Sequence, residues 1–391
     1  MSLLVVAFLS VWSERYFDPV VIVARDILKE KVEIGKISVV VCGDDGLLQP
    51  IPFQVDEKEN EEDYSTGDGI FSDFDEIVFC AKDTSNTGIE NCRDKIKKFD
   101  SIFEVSLKDK KRNKTMFAYI VVGDNVPKSN VKYLHYSEDS ENDIIESDHW
   151  KVFLEKQHPI IKRIDHKSES LTIFSGVFLN AYFKIFGVFD VRKNQNDIWS
   201  KTLYLKSGPV RFIRSSKPYV DIGFGIKIPS AKTTGKLYPG VIISPNTVFL
   251  PFPMKMIAKE SEAVIFLKYN GTRGKRFISR TVNSIIGKDD KPKEDNHMWG
   301  IIKDAGEKQR WGTMYFIKDV SKIPVKRWLY YDYDNAHDIF NVGLNIDVLS
   351  LPMGTHKFEL YGFTFPPGDE KMAMDMIENP LEVSVKPLNL N

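Results

Sequence analysis

The sequence predicts an all-β protein built from antiparallel β-sandwich domains with few short helices. Two observations carry that expectation. Short runs rich in β-branched and aromatic residues recur along nearly the whole chain, at spacings that suit strands. The 24 glycines and 19 prolines are scattered between those runs as turn punctuation, with no low-complexity segment and no repeat of fixed period.

At 391 residues the chain exceeds one ordinary core, and 42% hydrophobic content suffices for two. The expected division is a β-sandwich over 18–140 and a larger one over 141–391. Residues 1–17 read either as a signal peptide or as a first buried segment. Strands are expected at 20–24, 37–42 and 77–81, and a hairpin over 101–122 with a basic tip at 108–114. A polar stretch at 137–150 marks the boundary, and an amphipathic helix is expected over 143–157, where Ile144, Ile145, Trp150, Phe153 and Leu154 share one face. Residues 171–186 read as a bent strand pair around Gly176. Further strands follow to 363, then a short helix near 370–377 and a closing edge strand at 381–385. Cys80 and Cys92 are spaced to bridge in an oxidising compartment, the alternative being three isolated thiols with Cys42.

Net charge is −1, so no global field points to nucleic acid. Locally the chain is uneven. Residues 56–76 hold ten carboxylates and one lysine, a local charge of −9 that leaves +8 for the rest. Crowded carboxylates are costly unless solvated or shared by a cation. Asp68, Asp73, Asp75 and Glu76 are therefore candidate Ca²⁺ ligands, with Asp56 and Asp63 behind them and Gly67 and Gly69 permitting the turns. The alternative is a solvated loop that protects a sheet edge.

The run Pro52-Phe53-Gln54-Val55-Asp56, the acidic stretch, Gly67-Asp68-Gly69 and Asp75-Glu76-Ile77-Val78-Phe79-Cys80-Ala81 resembles a motif of uncharacterised exported bacterial and archaeal proteins. That motif reads P-x-Q-x-D, D-G-D-G, D-E-x-V-F-x-A, and Thr66 stands here where it has its first Asp. Ser207-Gly208-Pro209-Val210-Arg211 resembles a strand entry in the supersandwich fold of sugar mutarotases and polysaccharide lyases. The resemblance implies a supersandwich-like C-terminal part and a carbohydrate-related, exported protein.

A second constellation runs from Trp328 to Asp338. On a strand Tyr331 and Tyr333 share one face and Asp332 and Asp334 the other. Aromatic faces beside carboxylates suit a sugar groove, so Trp328, Tyr331 and Tyr333 are candidate substrate-binding residues. Asp332, Asp334 and His337 are candidate acid/base groups, with Asp338 beside them. Arg211 and Arg214 are candidates for binding a sugar carboxylate.

The expected function is thus an exported protein, periplasmic or extracellular, that binds or processes carbohydrate and carries a structural Ca²⁺. As an enzyme it would be a polysaccharide lyase or glycoside hydrolase. The alternatives are a non-catalytic surface or assembly scaffold and a cytoplasmic binding protein. No nucleic-acid partner and no membrane span are expected.

Overall fold

The computed structural model describes residues 15, 18–27, 30–158, 160–167, 171–221, 227–229, 232–250, 254–256, 258–288, 299–305, 312–319, 325–365 and 370–389. The N-terminal segment 1–14 and residues 16–17, read above as leader or first buried segment, lie outside them. Every strand pairing whose register is described is antiparallel, and the described α-helices are Arg93–Ile96 and Glu370–Glu378. The all-β sandwich expectation holds.

The chain does not divide at one point near residue 140. One compact unit comprises Met1–Val55, Gly69–Asn130 and Met374–Asn391, and the other comprises Asp56–Asp68 and Val131–Ala373. The tail returns to the first unit because Glu382–Pro387 pairs along Ser101–Asp109, a long-range contact invisible to local pattern.

In the first unit the expected hairpin forms, with Ser101–Asp109 against Lys114–Val122. It sits in a five-stranded sheet with Glu382–Pro387, Ile37–Cys42 and Leu48–Pro50. A three-stranded sheet holds Pro19–Val23, Glu76–Cys80 and Phe53–Asp56. Val39, Val105 and Ile120 from the first sheet and Ile22, Ile77 and Phe79 from the second fill one core. The period of two explains this: alternate residues face it, while Val40, Cys42, Tyr119 and Val121 face a second cluster under Ile89 to Phe99. That second cluster contains the Cys42–Cys92 disulfide, and Cys80 is a buried free thiol. The Cys80–Cys92 pairing is therefore corrected. Cys80 is embedded in a strand paired to Pro19, and nearness in sequence did not reflect nearness across the sheet.

The basic hairpin tip is tied down. Lys110 pairs with Glu382, and both Lys111 and Arg112 reach Asp375. Arg112 also donates to Asp109, which accepts from buried Arg15 at 2.7 Å. Burial pushes the Asp18 carboxyl in this cluster up to about 7, against the pull of Arg15. At Asp109 burial works in the same direction, but the hydrogen bonds from Arg15 and Arg112 prevail and hold it below the usual carboxylate range. The signs are opposite. Folded Asp18 keeps its proton where the unfolded chain has lost it, so its effect erodes stability as pH rises from about 4 to about 7. Asp109 stabilises above its unfolded pKa and is lost in acid. Asp18→Asn is accordingly expected to raise the melting temperature strongly at pH 8 and only slightly at pH 4. Equal shifts at both pH values would contradict this.

The second unit is a large sandwich. One sheet has nine strands, running from His135–Glu138 through Asn142–Glu146, Trp150–Glu155, Ile161–His166, Leu171–Ile185, Ala258–Asn270 and Ile339–Ile346 to Val325–Asp334, with Phe189–Asn194 on the side. The other has ten, with Ile198–Ser207, Phe212–Asp221, Val241–Leu250, Gly312–Asp319 and Gly354–Phe365 among them. Trp150, Val152, Tyr269, Phe340 and Val342 from the first sheet meet Phe212, Phe277, Ile302 and Tyr315 from the second in one core.

Two local expectations are corrected here. The helix expected at 143–157 is a hairpin of Asn142–Glu146 and Trp150–Glu155. The Ser147 hydroxyl caps the turn by accepting from the backbone of His149 and Trp150, and Trp150, Val152 and Leu154 alternate into the core. The apparent helical face came from two period-two runs joined by that turn. The bent strand pair at 171–186 is one 15-residue strand, kinked at a bulge where Gly176 takes φ 131°.

Candidate functional site

Three carboxylates of the acidic insert, Asp56, Glu62 and Asp63, take counter-charge from cations elsewhere in the chain. Asp56 is wholly buried and accepts from Arg211 Nε at 3.0 Å and Nη2 at 2.5 Å, with Lys206 Nζ 3.3 Å away. Arg211 also donates to the Tyr238 hydroxyl at 3.1 Å and lies 5.6 Å from the Tyr64 ring. Glu62 pairs with Lys357 and Asp63 with Lys232, which, together with Asn60, holds the Asp63 carboxyl below its ordinary range. The proposed Ca²⁺ ligands do not converge. Asp68 belongs to the larger unit, whereas Asp73, Asp75 and Glu76 belong to the smaller one. Asp75 accepts from the Ser72 amide, Asp73 is an exposed turn residue, and Glu76 sits in a strand opposite Val23. Among the described residues no group of three His, Cys, Asp or Glu side chains is placed to hold one metal ion.

Arg211 and Arg214, read above as sugar-carboxylate ligands, are internal. Arg214 pairs with Asp143 at 3.3 Å and donates to the Glu155 and Lys156 carbonyls. Both are at most 5% exposed, so neither guanidinium is presented at the surface.

The Trp328–Asp338 segment separates into two parts. Its end is a turn with its own architecture. Asp338, at φ 53°, accepts from the amides of Thr272 and Arg273 and from the Tyr333 hydroxyl. Asp334 caps the turn by accepting from the Ala336 and His337 amides, and its Oδ2 lies 2.7 Å from His337 Nδ1, which lowers its pKa. Tyr333 packs against the core cluster. The side chains of Trp328 and Tyr331 lie outside the described residues. Tyr331 occupies the register position opposite the core residue Val342.

Asp332 belongs to a different place. It pairs across to Asn341, and Asn341 pairs to Lys268, giving a row of three on successive strands. Phe340, Val342 and Leu344 point into the core, so Asn341, Gly343 and Asn345 occupy the outward face of the sheet. The neighbouring row holds Gly343, Phe266 and Phe178, whose rings stack at 5.6 Å with planes 15° apart. Lys268 Nζ lies 5.3 Å from the Phe178 ring. A third row contains Asn345, Val264 and Asn180. Only glycine fits at 343, because a β-carbon there would stand 2.0 Å from the Ile265 carbonyl oxygen. The result is a row in which half-buried Phe178 covers buried Phe266 and Gly343, flanked by lysine, amides and an exposed carboxylate. The amide oxygens of Asn341 and Asn345 are buried without a hydrogen-bond partner among the described residues, and the Asn345 amide nitrogen donates to Glu262 Oε1 at 3.4 Å.

Sequence reading found Asp332 on this face and missed Lys268, Asn341, Asn345, Phe178 and Phe266. A signal existed in Ile339-Phe340-Asn341-Val342-Gly343-Leu344-Asn345-Ile346, where asparagine alternates with apolar residues. The partners on the neighbouring strands are not legible without the register.

No family model matches the chain, and no curated protein matches it in sequence. Solved structures do share its architecture. A glycosyl hydrolase family 38 protein from Enterococcus faecalis overlays on 91% of this chain with a TM-score of 0.52 at 9% identity. That likeness is one of fold. This chain covers 42% of that protein, so it spans less than half its length. An α-mannosidase from Enterococcus faecalis gives a TM-score of 0.48 at 10% identity, over 91% of this chain and 41% of that one. A galactose mutarotase-like protein from Clostridium acetobutylicum gives 0.38 at 9% identity, over 61% of this chain and all of that one.

Proposed function

We propose that the larger unit is a carbohydrate-binding sandwich whose ligand lies on the outward face of the nine-stranded sheet. The observation that carries this reading is the row order on that face: the Phe178–Phe266 stack, flanked by Lys268, Asn341 and Asp332 on one side and by Asn345 and Asn180 on the other. A pyranose ring presents an apolar C–H face to an aromatic and hydroxyls to polar groups at its edges, and these rows match both demands. The fold shared with a glycosyl hydrolase family 38 protein supports a carbohydrate setting.

Export accompanies this reading. The Cys42–Cys92 disulfide supports an oxidising compartment, periplasmic or extracellular. The reading does not call on calcium: Asp56, Glu62 and Asp63 of the acidic insert take counter-charge from the chain's own cations. The role read here is binding, and the Asp334–His337 pair serves to build a turn. A second reading, an assembly scaffold, is favoured by the Phe186–Phe189 hairpin tip, where Phe186 is 58% and Val188 74% exposed.

The test is a glycan array run with the intact chain and with an Asn341→Val/Asn345→Val variant. Binding is expected to fall at least ~10-fold, the loss of about 1.4 kcal/mol that one or two hydroxyl hydrogen bonds supply. The melting temperature should hold, because the substitution removes two buried amide oxygens that lack partners at the cost of one long hydrogen bond from Asn345 to Glu262. An array with no glycan bound by a folded wild-type chain would sink the proposal.

A further inference from the structure

The two sheets of the larger unit do not close completely on each other. Between them lies a cavity of about 390 Å³. Its walls are almost wholly apolar, with Phe174, Ala181, Ala263 and Leu267 on one sheet and Ile242 and Phe363 on the other. Two small residues open it: Ala181 and Ala263 stand directly opposite each other in register, both buried, where a sandwich core ordinarily places larger aliphatics. The facing sheet adds Gly362 to the same lining.

We propose that this cavity binds one fatty-acyl chain. Its volume is more than twice that of the ~150 Å³ engineered cavity that stays dry and admits a benzene, and it falls in the ~300–1,000 Å³ range of ligand pockets. Apolar walls reject both water and sugar, whose hydroxyls would lose hydrogen bonds there. An empty void weakens the fold in proportion to its volume, so an occupant that restores the contacts is favoured. The few polar groups of the lining suit the head of such a chain. Lys193 and Gln195 offer donors for a carboxylate or a glycosidic oxygen, and among the described residues Lys193 pairs with Asp197 at a long 3.7 Å. This site is on the core side of the sheet whose outer face carries the aromatic rows, and it does not depend on the carbohydrate reading.

The experiment titrates the delipidated full-length chain with cis-parinaric acid, which fluoresces in apolar surroundings, and displaces it with hexadecanoate or with hexadecyl glucoside. Saturable one-to-one binding with displacement is expected, together with a rise in melting temperature on adding the displacing ligand. Displacement by hexadecanoate alone assigns a free fatty acid, and displacement by the glucoside assigns a glycolipid. Filling the void with Ala181→Leu/Ala263→Leu should weaken binding at least ~10-fold while the chain still melts cooperatively. If that pair fails to fold, Ala263→Val replaces it with a smaller loss expected. A cooperatively melting wild type that binds no probe, or a filled variant that binds as wild type does, overturns the proposal.

Discussion

Replacing Arg211 by methionine is expected to cost about 3–5 kcal/mol of unfolding free energy, the range for removing one partner of a buried ion pair. The reason is what remains. Asp56 is fully enclosed, and without the guanidinium its carboxylate keeps only the Lys206 ammonium among the cations described here. The Tyr238 ring would lose the Arg211 cation as well, whereas Tyr64 keeps Lys58 and Lys236 near its ring. The double variant Arg211→Met/Asp56→Leu is expected to recover most of that loss, because a buried pair exchanged for apolar residues of similar volume is often neutral. Urea unfolding of both single variants and the double gives the coupling directly. A single-variant loss under ~1 kcal/mol, the range of exposed pairs, would show that the pair is solvated.

Removing the Cys42–Cys92 disulfide is the other large change. The bridge joins residues 50 apart. In the chain-entropy account a loop of that length is worth about 4 kcal/mol, between the values for much shorter and longer loops. The Cys42→Ser/Cys92→Ser variant should therefore lose about that much relative to the oxidised protein, and reducing agent should bring the wild type to the same level. Cys80, buried in its strand, contributes nothing to this difference, because burial pushes its thiol far up and keeps it unreactive. A disulfide-free variant as stable as the oxidised chain would mean that the unfolded ensemble is already restricted without the bridge.

How much of this was legible in the sequence depends on whether the deciding forces are local. The Ser101–Asp109 and Lys114–Val122 hairpin was, because its turn and its alternation lie within twenty-odd residues. So was the closing strand at the C-terminus, as a strand, but not its partner, which lies far back in the chain. The 143–157 stretch was misread because a two-residue turn shifts phase between two period-two runs and imitates a helical face. The acidic insert was read correctly as a charge problem, but its partners within the chain could not be named from the sequence. The cations that pair with it, Arg211, Lys206, Lys232 and Lys357, lie about 140 to 300 positions downstream, and only the folded chain brings them in. Arg211 and Arg214 were noticed as chemically capable, and their burial turned that capability inward. The outward face of the nine-stranded sheet shows the same limit in reverse. Asp332 was visible in its own strand, while Asn341, Lys268 and the Phe178–Phe266 stack became its neighbours through antiparallel register.

Once the array has supplied a glycan, a crystal structure of its complex with the intact chain tests the central claim most directly. The account predicts a pyranose ring over Phe178, its hydroxyls bonded to Asn341, Asn345 or Asp332. A sugar bound instead at the turn around Asp334 and His337, or between the two sheets, would contradict it.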